Sequence, residues 1–386
     1  MKKKKVAIVL SLEPRDGGGY QYALLMAECI KKMAKSCFEL IAICTNRFWW
    51  KWCKENHVKY VRTDWIGYTA KEIEKNIRYP VYSRLYNMYM TEVGMLIRKE
   101  NIDVIVLTGQ LMYTPNLDVK MIAPVFDLMH RYEPSFPEVK KGCQERDLLF
   151  RCQAKYVDYI LADSELGKRQ FCESYLRKNR EMPYVISLPF VVPGHISKVE
   201  EEYIDVPDKY VFYPAQFWKH KNHINLIKAI QILKDRIDDI HLVLVGSEKN
   251  CYREVKRYIQ SHCLENKITT LGFVSNENMV YLYRHAAGMV MPTYFGPTNI
   301  PPLEAMALGC PVAVSNKYAM PEQVGKAGLL FNPDSPEEIA SCIKKIWTDE
   351  KLRVKMIEQG YKRVQMWGQR EFEKKIFSVI KKSLNR

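Results

Sequence analysis

The sequence predicts an α/β protein built from two doubly wound domains in tandem, and three observations predict it. Short, continuously apolar runs alternate with amphipathic segments in both halves of the chain, the pattern of parallel strands covered on both faces by helices. A proline-broken, acidic stretch at residues 188–209, LPFVVPGHISKVEEEYIDVPDK, interrupts that alternation near the middle, as a linker would. The length of 386 residues suits two domains, each with its own core.

In the first half, Val6–Leu10, Leu40–Cys44, Val104–Leu107, Pro124–Phe126 and Tyr159–Ala162 read as buried strands, with helices over Tyr20–Lys35, Val81–Glu100 and Leu166–Arg177. Beyond the linker come strands at Tyr210–Tyr213, His241–Val245, Ile268–Leu271, Gly288–Met291, Val312–Val314 and Gly328–Phe331. The intervening helices, Ile224–Arg236, Tyr252–Cys263, Asn276–His285 and Pro336–Trp347, carry apolar residues at helical spacing. Trp367–Leu384 reads as one more amphipathic helix. The division is an N-terminal domain at 1–188, a linker at 189–208, a second domain at 209–366, and a C-terminal helix at 367–386 that has the N-terminal domain as one place to dock. Ligands of such sheets bind beyond the carboxyl ends of the strands, so the site is expected there, in a cleft between the domains.

A net charge of +15 calls for an acidic partner: a phosphorylated ligand, an anionic lipid or a nucleic acid. No zinc-knuckle, RNP-like or helix-turn-helix pattern accompanies the charge, so no nucleic acid is expected. Eleven cysteines occur without CxxC pairs or histidines at ligand spacing, which points away from a disulfide framework or a metal centre. The N-terminal MKKKKVAIVL is basic, but its apolar run is too short for a signal peptide, and no run approaches membrane-spanning length. The expected location is the cytoplasm, with peripheral attachment to the inner face of the membrane as an option.

The chemistry concentrates in four places. YFGPTNIPPLEAMALGCPVAV, Tyr294–Val314, reads as a polar loop, a short helix and a buried strand, with Glu304 expected in the helix's first turn and a positive helix end suited to an anion. The glycine-rich RDGGG before the first helix, with Gly18 and Gly19, suits close approach of a phosphate or a sugar hydroxyl, or an ordinary tight turn, and is neither GxGxxG nor a P-loop. In YPAQFWKHKNH, Lys219, His220, Lys221 and His223 crowd a helix entrance and repel one another unless an anion sits there. His130, with Asp127 before it, follows an apolar strand and is the acceptor-side candidate, as a proton acceptor or a sugar ligand. A fifth stretch, NRFWWKWCKENHVKY at residues 46–60, mixes tryptophans with lysines. It can lie in an anionic membrane surface, or its aromatics can pack the domain's flank or line the acceptor site.

PAQFWKHKNH, YFGPTNIPPLEAMALGCPV and PEQVGKAGLLFNPDSPEEIA, in that order, resemble the nucleotide-sugar half of glycosyltransferase family 4, whose fold is GT-B; PVFDLMHRYEPSFPE and ADSELGK resemble its acceptor domain. The resemblance implies retaining transfer of a sugar from a nucleotide diphosphate sugar to a hydroxyl of a glycan or lipid-linked acceptor, as in bacterial surface polysaccharide synthesis, without a metal or a further cofactor. It implies Glu304 for the ribose, Lys221 for the diphosphate and as a catalytic charge, Gly272–Val274, including Phe273, for the nucleobase, and Gly18 and Gly19 for the donor phosphates. Two departures stand out. The family's second glutamate, eight positions before Glu304, is Gly296 here, and its arginine five positions before Lys221 is Gln216. Thr298, Asn299 and Ile300 of the GPTNI loop are the expected substitutes around the donor sugar. Two other readings stay open: a GT-B epimerase or hydrolase acting on a nucleotide sugar, and a catalytically silent sugar-nucleotide-binding scaffold, motivated by the missing glutamate.

Overall fold

The computed structural model describes residues 3–64, 70–110, 116–176, 183–194, 196, 198–296 and 299–385. The chain forms two compact units. The first comprises Met1–Pro134, Val139–Pro189 and Arg370–Arg386, and the second Ser135–Glu138 and Phe190–Gln369.

In the first unit seven strands form one parallel sheet: β1 (Lys5–Leu10), β2 (Glu39–Cys44), β3 (Lys59–Arg62), β4 (Val104–Leu107), β5 (Lys120–Val125), β6 (Tyr159–Ala162) and β7 (Tyr184–Ser187), in the order β3-β2-β1-β4-β5-β6-β7. Strands β4 and β6, and β1 from Val6 onward, are buried, which explains their unbroken apolar runs. The edge strands β3 and β7 are less buried, and their apolar runs, Tyr60–Val61 and Tyr184–Ile186, are too short to mark them by pattern alone. The helix expected over Val81–Glu100 is two helices, Pro80–Met90 and Glu92–Glu100. Thr91 separates them by capping the second through the Gly94 N–H at 3.2 Å. A Cβ at Gly94 would stand 1.9 Å from the Asn87 carbonyl oxygen, so only glycine permits this corner. The C-terminal helix, Gln369–Leu384, buries Phe372, Ile376, Val379 and Ile380, and Phe372 meets Tyr22 edge-on at 6.2 Å.

The second unit holds β8 (Val211–Pro214), β9 (Leu242–Val245), β10 (Ile268–Thr270), β11 (Gly288–Met291), β12 (Val312–Ser315) and β13 (Gly328–Phe331), all parallel, in the order β10-β9-β8-β11-β12-β13. A core including Phe212, Tyr213, Phe217, Ile227, Ile230 and Met289 packs its helices against the sheet. Helix Glu350–Met366, which buries chiefly Met356 and Gly360, has too narrow an apolar stripe to stand out in the sequence. In both sheets the strand order reverses beside the first strand, the arrangement of dinucleotide-binding folds. In the second unit this switch point lies between β8 and β11, and it brings residues 215–222 and 292–296 together at the carboxyl edge.

Candidate functional site

That carboxyl edge carries Lys221. Residues Lys219–Lys221 form a single 3-10 turn, and Asn222 follows at φ 57° before helix His223–Leu233 begins. The turn is fixed from below and from the side. The buried Tyr213 hydroxyl donates to the Lys221 carbonyl at 2.9 Å, and the Asn222 amide donates to the carbonyls of Pro292 and Pro333 at 3.1 and 2.7 Å. The Tyr294 N–H donates to the His220 carbonyl at 2.8 Å, joining the two loops of the switch point.

The basic cluster sorts itself without an anion at every position. His220 stacks on Phe295 with centroids 4.1 Å apart, and its ring hydrogen-bonds Glu138. Glu138 also accepts from the His220 N–H and the Asn250 amide, each at 2.9 Å. Burial works to raise the Glu138 pKa, but these hydrogen bonds, with His220 foremost, hold it down at about 2. His223 lies buried against Phe217, and desolvation lowers its pKa to about 3, so the ring is neutral.

Lys221 is different. Its ammonium donates to the Asn299 side-chain oxygen at 3.3 Å, and among the described residues no carboxylate lies within ion-pair distance of it. Desolvation draws its pKa down to about 8, with Glu138 the opposing influence. A partly buried cation held only by a neutral amide is costly unless something anionic completes its surroundings.

Asn299 is itself clamped. Its N–H donates to Gln323 Oε1 at 3.0 Å, the Gln323 amide donates back to its carbonyl, and its side-chain amide donates to the Gly296 carbonyl at 3.0 Å. Gly296 has φ +129°, and a Cβ there would fall 2.6 Å from the Asn299 amide nitrogen. The glycine in place of the family's glutamate and the asparagine three residues on are therefore one device: a side chain at position 296 and the present Asn299 conformation exclude each other. Pro297 and Thr298 lie outside the described residues, so the expectation for Thr298 does too.

Ile300–Ala307 forms the helix after this loop, with Pro301 and Pro302 in its first turn. Glu304 is consequently in the second turn, not the first as expected, because the helix starts ahead of the prolines. Its carboxylate accepts from the buried Tyr283 hydroxyl at 2.9 Å. Burial raises its pKa to about 7, and the Tyr283 bond is the opposing influence. The remaining acceptor capacity suits two neighbouring hydroxyls. After β10, Gly272 at φ +70° turns the chain into a loop where the Phe273 side chain is 89% exposed and Val274 is partly covered. Gly246, at the end of β9, donates to the Gly272 carbonyl at 2.8 Å and has no room for a Cβ beside the Ala215 carbonyl. Gln216 is exposed, and its side-chain oxygen accepts from the Trp218 indole at 2.9 Å.

The second unit thus assembles Lys221, Asn299, Ile300, Glu304, Gln216, Phe273 and Val274 along one sheet edge. Tyr283, Gln323, Glu138 and Gly246 join them; Gln323 and Glu138 lie inside segments that resemble the family, but nothing in the sequence marks any of these four individually as a site residue. Gly18, Gly19, Asp127 and His130 belong to the first unit. Gly17 takes φ +61°, and Gly18 and Gly19 already lie in the first turn of helix Gly18–Cys37. Asp127 accepts from Arg146 at 2.5 Å and from the Met129 N–H at 2.9 Å. The His130 ring is buried, with Nε2 bonded to the Tyr175 hydroxyl at 2.8 Å. Burial, seconded by the Arg146 charge, lowers its pKa to about 4. The ring is therefore neutral and committed to Tyr175. The aromatic run at 46–60 is turned inward. Trp49 is fully buried and donates to the Leu12 carbonyl at 2.7 Å, Trp52 is buried and donates to Glu28 at 3.1 Å, and Trp50 donates to the Cys44 carbonyl at 3.3 Å. Trp49 and Trp52 therefore pack the domain's flank, while Phe48 and Trp50 remain partly exposed.

Two parallel sheets in this strand order, with a C-terminal helix, define the GT-B fold of glycosyltransferases. Residues 197–363 match the family described as Glycosyl transferases group 1. The chain is 30% identical over 198 residues to the O-antigen chain mannosyltransferase RfbU of Salmonella typhimurium, covering 51% of this chain and 53% of that one. It is 28% identical over 162 residues to O-antigen chain mannosyltransferase B of Escherichia coli, covering 42% of each. These matches span about half or less of each relative. The Anabaena protein HepE, solved in complex with UDP and glucose, has a similar structure, with a TM-score of 0.67, 16% identity and coverage of 98% of this chain and 100% of that one. The whole chain therefore shares the GT-B fold, and residues 197–363 are similar in sequence to that glycosyltransferase family.

Proposed function

We propose that the protein is a retaining transferase that moves a glycosyl group, in the first instance mannosyl, from a nucleoside diphosphate sugar to a hydroxyl of a glycan or lipid-linked acceptor in surface polysaccharide synthesis. The observation that carries this reading is Lys221, a desolvated cation at the switch point, bonded to Asn299 and with no carboxylate partner among the described residues. A diphosphate supplies the missing charge. As the bond from the sugar's anomeric carbon to the diphosphate oxygen breaks, negative charge grows on that oxygen, and Lys221 stabilises it without rearranging. The new bond forms to the acceptor oxygen, and the acceptor's proton passes to the departing phosphate on the same face, which preserves the anomeric configuration. With Lys221 supplying the charge, the reaction runs without a metal. Glu304 accepts from the ribose hydroxyls, Phe273 and Val274 meet the nucleobase, and Asn299 holds Lys221. The mannosyl assignment follows the two O-antigen mannosyltransferases that match about half of the chain.

The test is a thermal-shift screen of nucleoside diphosphate sugars, in which a bound donor at 100 times its dissociation constant adds about 2.7 kcal/mol. Diphosphate release with and without acceptor follows. Acceptor-dependent release supports the reading. Sugar turnover that is strong and fully acceptor-independent defeats it in favour of a hydrolase or epimerase.

A further inference from the structure

Helix Pro80–Met90 is amphipathic in the wrong sense for a protein in water. Its inward stripe is largely polar: beside the buried Met88, Ser83 and Asn87 are 5% and 1% exposed, and the Asn87 amide donates to the buried Asn76 side chain at 2.6 Å. Its outward face is apolar and aromatic: Val81, Tyr82, Leu85, Tyr86, Tyr89 and Met90 are 45–74% exposed, and Tyr79 just ahead of it is 57% exposed. Surface residues of this kind occur singly on any protein, but a contiguous face of them marks an interaction site. The inversion matters more than the exposure, because a helix selected only for packing would bury Leu85 and expose Asn87.

The chemistry around the face identifies its partner. Between residues 71 and 99 there are six cations, Lys71, Lys75, Arg78, Arg84, Arg98 and Lys99, against three carboxylates, Glu72, Glu74 and Glu92, and all of them are exposed. Arg84 pairs with Asp118, and the Arg98 guanidinium lies 4.3 Å from the Tyr89 ring centre. Lys75 and Glu72 line a recess of about 480 Å³ together with Tyr79, Tyr82 and Tyr86. Tyrosines present an apolar ring and a polar tip, which suits headgroup depth, and the surrounding cations suit anionic lipid. A second copy of the chain fits poorly, since a self-complementary contact would set one basic face against another. No helix among the described residues is long and apolar enough to cross a membrane, so the geometry is one of lying on the surface.

We infer that the exposed face of residues 79–90 docks the first unit on an anionic lipid bilayer, with the tyrosines, Leu85 and Met90 at headgroup depth and Lys75 and Arg78 against lipid phosphates. The assignment stands apart from the donor reading, since it concerns partition and not transfer. The test is flotation of the full chain with phosphatidylglycerol-containing vesicles and with pure phosphatidylcholine vesicles. The wild-type chain floats with the anionic vesicles and roughly tenfold or more less with the neutral ones, and high salt releases it. Replacing Tyr82, Leu85 and Tyr89 together by serine lowers partition about tenfold or more, and Lys75→Glu with Arg78→Glu does the same on anionic vesicles alone. These side chains are exposed, so unchanged circular dichroism and an unchanged donor-induced thermal shift show that the variants fold. Three results would overturn the inference: flotation of the serine variant equal to wild type, binding indifferent to lipid charge, or a wild-type dimer in sedimentation that the serine variant converts to monomer.

Discussion

Replacing Tyr283 by phenylalanine removes one oxygen, and its consequence can be worked from the site. The Tyr283 hydroxyl donates to a Glu304 carboxylate whose pKa burial has raised to about 7. A hydrogen bond to a charged group contributes about 1.5–3 kcal/mol, and each 1.36 kcal/mol is one unit of pKa, so losing it lifts Glu304 by at least about one further unit. If the ionised carboxylate binds the ribose, the acidic limb of kcat/KM for the donor lies near 7 in the wild type and near 8 in Tyr283→Phe. At a pH near 7 about half of the wild-type molecules carry the carboxylate and only about a tenth of the variant do, a roughly fivefold loss that shrinks as the pH rises. Initial rates of diphosphate release at low donor concentration, taken across the pH range, measure this directly. An acidic limb that stays in place, or a loss of the same factor at every pH, would refute the reasoning, because packing damage alone has no reason to follow the titration of a carboxylate.

Further predictions address the rest of the site. Lys221→Ala lowers kcat by about 10²–10³, the cost of removing one preorganised charge from a developing oxyanion. Lys221→Arg abolishes the fall of kcat/KM above a pH of about 8, because a guanidinium stays charged where the lysine deprotonates; persistence of that limb would assign it elsewhere. Asn299→Ala removes the acceptor of the Lys221 ammonium and moves that limb to lower pH, and Gly296→Glu lowers Tm and donor affinity because its side chain and Asn299 compete for one space. Glu138→Gln lowers stability by about 1.5–3 kcal/mol through the bonds to His220 and Asn250. Since the native carboxyl titrates near 2 rather than 4.5, that contribution is present above about 4.5 and lost as the pH falls toward 2, so the wild-type advantage in Tm shrinks with acid. Chelator added to a turning-over reaction leaves its rate unchanged if Lys221 alone supplies the charge on the leaving group.

Much of the fold was legible because central parallel strands such as Val6–Leu10 and Val312–Val314 must be apolar on both faces. Edge strands at Lys59–Arg62 and Tyr184–Ser187 lack that constraint and left no signal. The donor-side residues were legible where backbone and chemistry leave local marks, as with Gly272, Lys221 and Glu304. Tyr283 and Glu138 were not, because they reach the site through tertiary packing from 21 residues before Glu304 and 82 before His220. The tryptophans of Arg47–Glu55 were legible as an aromatic run among lysines but not as to which way they face. Trp49 and Trp52 turn toward Leu12 and Glu28, whereas the tyrosines of Pro80–Met90, with a weaker pattern, face outward.

Calorimetric titration of the donor's nucleoside diphosphate into the wild type and Lys221→Ala, near neutral pH and one unit above the Lys221 pKa of about 8, tests the central claim most directly. If Lys221 holds the diphosphate, wild-type affinity falls about tenfold at the higher pH, and the alanine variant binds weakly at both with no such dependence. Equal affinity for wild type and variant, or an affinity flat across that pH step, would contradict it.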